Sequence, residues 1–335
     1  MRNQLCQQTN LPIKLLNFWT EIVRTNSPVD VMIPEKSVPY IEKLCQMNNI
    51  MYKIIIENVH KLIQEKKAMA EKRKKFSRTF KDFVGSKRPL YDHSDYQSYN
   101  KMYRFMEALE NAYPENAKVL TLGKTRNGKP IYMIKIAENL NASGKKGFWI
   151  NAGIHAREWA SSSTAIMENC FFLGLIWYIV PLLNVDGYEF TRRNTHPDVR
   201  LWRKNRSPAE CLNNGQCCRG VDLNRNFNFN FGGQGSSTDP CDETFQGPFA
   251  FIYMEHVTKS EAELIHYILL VVGWQTGKNQ LQKLNIQLRP DEWVYDGFIL
   301  DQAQILPTAR ETWQGIKVVA DAVLRETHKA SIRSG

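Results

Sequence analysis

With 335 residues, 43% of them hydrophobic and 11% aromatic, the chain is long enough for about two domains and apolar enough for packed cores, which excludes general disorder. Its net charge of +10 raises nucleic acid as a partner, yet nine Lys or Arg against two Glu between Lys61 and Lys81 supply +7 of that excess. Such a local run is a solvated helix face or a processing site, and no aromatic residues interleave with it to build a stacking platform, so nucleic acid is not expected.

In chain order, Met1 to Asn10 is polar without an apolar centre, so no cleavable signal peptide is legible there. Leu11 to about Asn58 reads as a small α/β unit: a strand over Val29–Ile33, a helix over Ser37–Met47 and a second strand over Met51–Ile56. From Val59 the pattern turns helical and increasingly charged, ending in Glu71-Lys72-Arg73-Lys74-Lys75. Gly85 and Pro89 then mark a boundary near residues 76–90.

The second region opens with a helix over about Tyr96–Ala112. Strands follow at Lys118–Leu122 and Ile131–Ile136, joined through an Asn127-Gly128 turn whose residues tolerate positive φ. Phe148–Ala152 is a further strand, then come a loop, a helix from about Ser161 to Phe172, a buried strand over Trp177–Leu183 and a late helix from Thr312 to about Glu326. The strongest apolar run, Cys170–Leu183, holds 14 residues and Pro181; it is too short to span a bilayer, so no membrane is expected. Strands alternating with helices predict an α/β fold with a mixed central sheet flanked by helices, preceded by the small α/β unit. The expected domains are 11–75, a linker at 76–90, and 91–335.

Four of the seven cysteines crowd between Cys211 and Cys241. Their spacing lacks the paired knuckles of a structural zinc site, and disulfides in an oxidising compartment fit better.

Three segments could carry chemistry. Gly153-Ile154-His155-Ala156-Arg157-Glu158-Trp159 follows a buried strand and precedes a helix, at the carboxyl end of the sheet, where open α/β sheets place their sites. His155 and Glu158 can reach one Zn²⁺ from a single loop, although a solvated His and Glu is the commoner reading of this spacing alone. Arg200-Leu201-Trp202-Arg203-Lys204-Asn205-Arg206 and Gly220-Val221-Asp222-Leu223-Asn224-Arg225-Asn226-Phe227 gather guanidinium groups, whose planar fork matches a free carboxylate. For either cluster alone, a surface ion-pair network is the competing explanation.

Taken together, these segments resemble the zinc carboxypeptidases of the A/B type. Pro181-Leu182-Leu183-Asn184-Val185-Asp186-Gly187-Tyr188-Glu189, Pro240-Cys241-Asp242-Glu243-Thr244-Phe245 and Pro307-Thr308-Ala309-Arg310-Glu311-Thr312-Trp313 continue the family's order. Upstream, Leu16-Asn17-Phe18-Trp19, the strand-helix-strand unit and the basic helix resemble the inhibitory prosegment without its first strand. The resemblance implies a proenzyme that removes C-terminal residues from peptides and proteins with one Zn²⁺. His155 and Glu158 would be two of three metal ligands, and Arg203 would polarise the scissile carbonyl. Asn224 and Arg225 would grip the terminal carboxylate, and Arg157 and Arg200 would line the approach. Asp291 would lie at the base of the specificity pocket and favour C-terminal Lys or Arg. It further implies a Cys218–Cys241 disulfide with Cys211 and Cys217 as an additional pair, a secreted monomer, and release of the prosegment by a trypsin-like protease near Lys75.

The chain departs from the family pattern in several places. No His in the expected context lies between Phe251 and Pro290; His256 and His266 are present, but the latter reads as helical. The capping Tyr before Trp293 has no counterpart. The strand carrying the general-base Glu is skipped at Tyr295-Asp296-Gly297-Phe298, with a similar shortening at Gly174. Losing a positioned base typically costs about 10²- to 10⁴-fold in rate. Little peptidase activity is therefore expected, and the competing function is a catalytically dead binder of peptide C-termini.

Overall fold

The computed structural model describes residues 16–19, 28–81, 91–142, 145–167, 174–228, 230–250, 274–276, 280–282 and 298–332. Its centre is a four-stranded sheet of β3 (Ala117–Lys124), β4 (Pro130–Ile136), β5 (Lys146–Asn151) and β6 (Leu175–Val180), in the order β3-β4-β6-β5. Short strands β1 (Asn17–Phe18) and β2 (Val31–Met32) precede it as a separate antiparallel pair. Pairing is antiparallel from β3 through β4 to β6 and parallel between β6 and β5, so the sheet is mixed, as the sequence predicts. The β3–β4 hairpin closes through Thr125–Lys129, where Gly128 takes φ +77°.

The sheet's centre explains its most apolar strand. Leu175, Trp177 and Ile179 of β6 alternate toward one face and join the main core with Ile134, Ile150 and Val185, while Val180 packs with Leu122 and Met133. With neighbours on both edges and apolar packing on both faces, every residue of the strand is buried or half-buried, which is why its sequence is a continuous apolar run. Helix α3 (Tyr99–Ala112) buries Met102, Phe105, Met106 and Leu109 at helical spacing against the same core. The late helix, α7 (Ile305–Ile332), inserts Trp313, whose indole N–H donates to the Thr164 carbonyl at 2.7 Å in the short helix α4 (Trp159–Ala165). Pro307 is tolerated because the first-turn positions of a helix need no N–H donor.

Several element expectations are corrected. Met51–Ile56 is a largely exposed loop: Met51 is 98% exposed, and among the described residues no strand pairs with it. β-Branched residues suit a ladder, but a ladder needs a partner edge. Helix α4 ends at Ala165 rather than Phe172, and α7 begins at Ile305 rather than Thr312. Helix α2 (Val59–Lys81) runs past the expected end of the prosegment at 75, and residues 82–90 lie outside the described residues.

Helix α1 (Val38–Met47) and the start of α2 complete the N-terminal unit. It docks on the body through Trp19, Met32, Val59, Leu62 and Ile63 against Leu201, Phe298 and Ile299. A Lys66–Asp301 ion pair at 3.2 Å flanks this apolar contact.

Candidate active site

Strands β5 and β6 end side by side, with Asn151 opposite Val180, so the loops leaving both emerge together. Backbone bonds from Leu183 to the Ala152 carbonyl (2.9 Å) and from Asn184 to the Gly153 carbonyl (3.0 Å) hold the two loops in contact. Gly153 is required at this turn. Its φ is +62°, and a Cβ there would meet Leu182 Cδ1 at 2.6 Å and Ser162 Oγ at 2.7 Å. Asn184 then ties three segments at once. Its amide donates to the carbonyls of Ile154 (3.2 Å) and Lys204 (3.1 Å), and its Oδ1 accepts from Gly187 N–H (3.0 Å) at the start of helix α5 (Val185–Thr191). The Ala156 N–H donates to the Arg203 carbonyl at 3.0 Å. These bonds bring the 153–159 and 200–206 segments to one place.

The side chains form a single charged chain. His155 Nδ1 lies 2.7 Å from Glu158 Oε1, and its Nε2 lies 3.2 Å from Asp222 Oδ1. The other oxygen of Asp222 accepts from Arg203 Nε at 3.0 Å, and Arg203 Nη1 is 4.0 Å from Glu158. His155, Arg203 and Asp222 are buried. Burial alone would raise the Asp222 pKa, but the His155 hydrogen bond and the Arg203 charge hold it well below the usual carboxylate range. Burial would likewise raise Glu158, and its neighbours His155 and Arg203 lower it instead. For Arg203, burial pulls downward and Asp222 and Glu158 prevail, raising it.

This geometry suits a divalent cation. Against burial and the Arg203 charge, Glu158 and Asp222 raise the His155 pKa, so in the arrangement seen a proton on each ring nitrogen closes the 2.7 Å and 3.2 Å contacts. When Nδ1 gives up its proton, its lone pair and the Glu158 carboxylate form a donor pair for a cation, and a carboxylate behind the imidazole is the usual orienting partner of a metal-ligating His. Among the described residues, no third His, Cys, Asp or Glu completes a metal-binding group. His256, His266 and Asp291 lie outside the described residues.

The remaining site residues fall into two groups. Arg225 sits half-buried at the end of the 3₁₀ turn Leu223–Arg225, close enough to Asp222 to lower its pKa, with Nε donating to the Gly235 carbonyl at 3.1 Å. Asn224, beside it, is exposed. Arg157 and Arg200 are both buried. Arg200 donates to the carbonyls of Arg157 (3.0 Å) and Phe298 (2.7 Å) and stacks 3.7 Å from the Trp159 ring centre; burial pulls its pKa down to about 10. It therefore braces the loop in this form of the chain rather than facing open solvent.

The N-terminal unit reaches this site directly. Arg157 Nη1 donates to Asn17 Oδ1 at 3.0 Å and to both Glu243 oxygens at 3.2 Å, and Asn17 Nδ2 donates back to Glu243 at 2.8 Å. The primary amide of Asn17 thus lies between a guanidinium and a carboxylate, while Trp19 packs on Phe298 at 5.6 Å. Four participants were not singled out from sequence: Asp222, Glu243, Phe298 and Asn17. Asp222 lay inside a recognised block, but nothing in the spacing shows which acid turns toward His155.

Disulfides fasten the loop beyond the site. Cys211–Cys217 closes the hairpin of β7 (Ala209–Cys211) and β8 (Cys217–Arg219), and Cys218–Cys241 joins that hairpin to the segment carrying Glu243. Among the described residues, no helix is long and apolar enough to cross a membrane.

Comparison with known proteins agrees with this architecture. The sequence model described as zinc carboxypeptidase matches residues 102–169 and 170–273, and that described as carboxypeptidase activation peptide matches residues 3–66. Carboxypeptidase A1 of Bos taurus is 25% identical over 393 aligned positions, covering 93% of this chain and 88% of that protein. Since this exceeds the chain's own 335 residues, the relative has internal stretches that this chain lacks. Carboxypeptidase A1 of Mus musculus is 30% identical over 254 positions, covering 70% of this chain and 55% of its own length. Among solved structures, the carboxypeptidase A of Helicoverpa armigera superposes with a TM-score of 0.57 at 27% identity, over 75% of this chain and 60% of that one. Thrombin activatable fibrinolysis inhibitor shares the fold, with a TM-score of 0.67 at 20% identity over 96% and 95% of the two chains. The chain belongs to the zinc carboxypeptidase family and carries that family's activation peptide at its N-terminal side.

Proposed function

We propose that this chain is the latent form of a zinc-dependent exopeptidase directed at the C-terminal bond of peptides and proteins, with little turnover because the general-base Glu and the third ligand His of the family pattern are not found in its sequence. The observation that carries this reading is the unbroken contact from Glu158 through His155 and Asp222 to Arg203. It sets a metal-suited donor pair beside a guanidinium at the carboxyl end of the sheet. His155 and Glu158 hold one Zn²⁺, which when bound supplies a polarised carbonyl and an activated water. Asp222 keeps the His155 proton on Nε2 and, through its second oxygen, aims Arg203 at the position where carbonyl oxygen gains charge. Asn224 and Arg225 receive the terminal carboxylate of the substrate; Arg157, released from Asn17 when the prosegment leaves, lines the approach, and Arg200 braces the loop behind it. Asp291 would select C-terminal Lys or Arg.

Latency follows from Asn17. Its amide offers a carbonyl to Arg157 and an N–H to Glu243, the groups that a peptide bond would present. The expected cleavage near Lys75 lies inside helix α2, so a trypsin-like protease needs that turn unwound before the bond can enter its site. The crosslinked 211–241 loop is consistent with a secreted protein.

A second reading, a binder of peptide C-termini without turnover, rests on the sequence, in which no His in the family's context lies between Phe251 and Pro290 and the strand carrying the general-base Glu is skipped. One experiment separates the two. The chain is treated with trypsin, its zinc content is measured, and release of single residues from Lys-ended and Phe-ended peptides is followed. Stoichiometric zinc with release of terminal Lys supports the enzyme with basic specificity, and preference for Phe refutes the Asp291 assignment. Peptide binding without zinc or release supports the binder.

A further inference from the structure

Outside the His155–Arg203 centre, three arginines lie about the Phe190 and Trp202 rings and the hairpin beside them, and among the described residues none of them is in a salt bridge. Arg206 lies 3.8 Å from the ring centre of Phe190 and 4.6 Å from that of Trp202, and Arg193 lies 5.6 Å from the same Phe190 ring. Arg219 ends strand β8, paired with Ala209 three residues from Arg206. Burial, Arg219 and Arg193 all pull the Arg206 pKa down, and the one opposing influence is Asp186. Among the described residues, no acid lies within ion-pair distance of Arg193, Arg206 or Arg219.

Like charges normally separate, and exposed arginines are free to do so. Here the scaffold keeps them close. The Phe190 and Trp202 rings meet edge-on at 5.6 Å, and Trp202 is pinned by its indole N–H to the Asn205 carbonyl at 3.1 Å. Arg206 is therefore held by its stacking. Arg219 is paired across the hairpin with Ala209 and flanked by Cys218, whose disulfide to Cys241 fixes the strand. Guanidinium groups gathered about one ring pair beside a crosslinked hairpin offer a surface for oxyanions, which Arg binds through two parallel hydrogen bonds.

We propose that Arg193, Arg206 and Arg219 form a second binding site, which takes the sulfate esters of an acidic polysaccharide. Two observations favour this polyanion over nucleic acid. The local aromatic faces are engaged by guanidinium groups and so are not free to stack bases. The two disulfides beside the site fit an oxidising compartment. The site is independent of peptidase chemistry and serves a catalyst or a binder equally.

The test uses the full chain and a heparin-type sulfated polysaccharide, with affinity measured by calorimetry at several salt concentrations. Arg193→Gln with Arg219→Gln should weaken binding by about tenfold or more and lower the dependence on salt by about two counterions. Arg206→Gln should add to that loss. Because Arg206 packs on two rings, the exposed pair alone decides the matter if that variant fails to fold. A control, Lys67→Gln with Lys72→Gln on the exposed face of α2, removes the same charge and should change affinity less than about twofold. Equal losses in both double variants would mean that binding follows net charge, overturning the site. A single-stranded oligonucleotide binding as tightly as the polysaccharide would overturn the ligand class. Saturation by inorganic sulfate alone, with no gain from the polymer, would assign the site to the free anion instead.

Discussion

Asp222 is the residue on which the candidate site turns, because one carboxylate fixes both an imidazole tautomer and a guanidinium. Replacing it by Asn keeps the shape but weakens the hold on the Nε2 proton. Zinc affinity should fall by about 10- to 100-fold, the usual effect of removing the acceptor behind a metal-ligating His. Competition against a chromophoric chelator reads this without reference to activity, and an unchanged affinity would remove Asp222 from the site. Gly153 offers a test of stability at the same scale. Gly153→Ala places a Cβ on a left-handed backbone, 2.6 Å from Leu182 Cδ1 and 2.7 Å from Ser162 Oγ. A loss of about 1–3 kcal/mol is expected in denaturant titration.

At the scale of elements, the N-terminal unit meets the sheet domain through Asn17 with Arg157 and Glu243 and through Lys66 with Asp301, so single substitutions at the seam should be visible. Asn17→Ala removes the amide between Arg157 and Glu243 and leaves those two paired with each other. Loss of charge-assisted bonds worth about 1–3 kcal/mol should raise the affinity of the uncleaved chain for a labelled C-terminal peptide by about 5- to 100-fold. Fluorescence anisotropy checks this, and no change would mean that Asn17 does not guard the site. Helix α2 makes a different prediction. Because the basic residues 72–75 lie within its turns, Glu71→Pro should unwind them and speed tryptic cleavage there several-fold, followed by mass spectrometry. Cleavage at the parent rate would show that helical structure does not protect this bond.

Over the whole molecule, the buried Lys204 couples stability to pH. Its ammonium donates to the Pro240 carbonyl at 2.6 Å, and burial pulls its pKa from 10.5 down to about 8, against the partial opposition of Asp242 and Glu243. Below pH 8 the lysine is charged in both folded and unfolded chains. Between pH 8 and 10.5 the unfolded chain holds the proton more tightly, so folding stability rises with pH through that window. The rise is on the order of 3 kcal/mol if complete. Thermal unfolding should show an increase in midpoint from pH 7.5 to 9.5, and Lys204→Met should flatten it. A falling midpoint in the parent chain would contradict the assignment.

The sequence by itself determined the strand-helix alternation, the mixed sheet, the Asn127-Gly128 hairpin and the segments that converge on the site. Apolar periodicity and turn chemistry are local properties, and the ordered motif blocks needed no coordinates to be read. It misjudged Met51–Ile56 because strand propensity is a property of one segment, whereas a ladder needs two. Only the tertiary structure decided which acid faces His155, that Arg157 and Arg200 are buried braces here, and that Asn17 lies between Arg157 and Glu243. Those facts depend on side chains separated by up to 226 residues meeting across packed surfaces. No spacing along the chain encodes such a meeting, because it exists only after the core has brought the loops together.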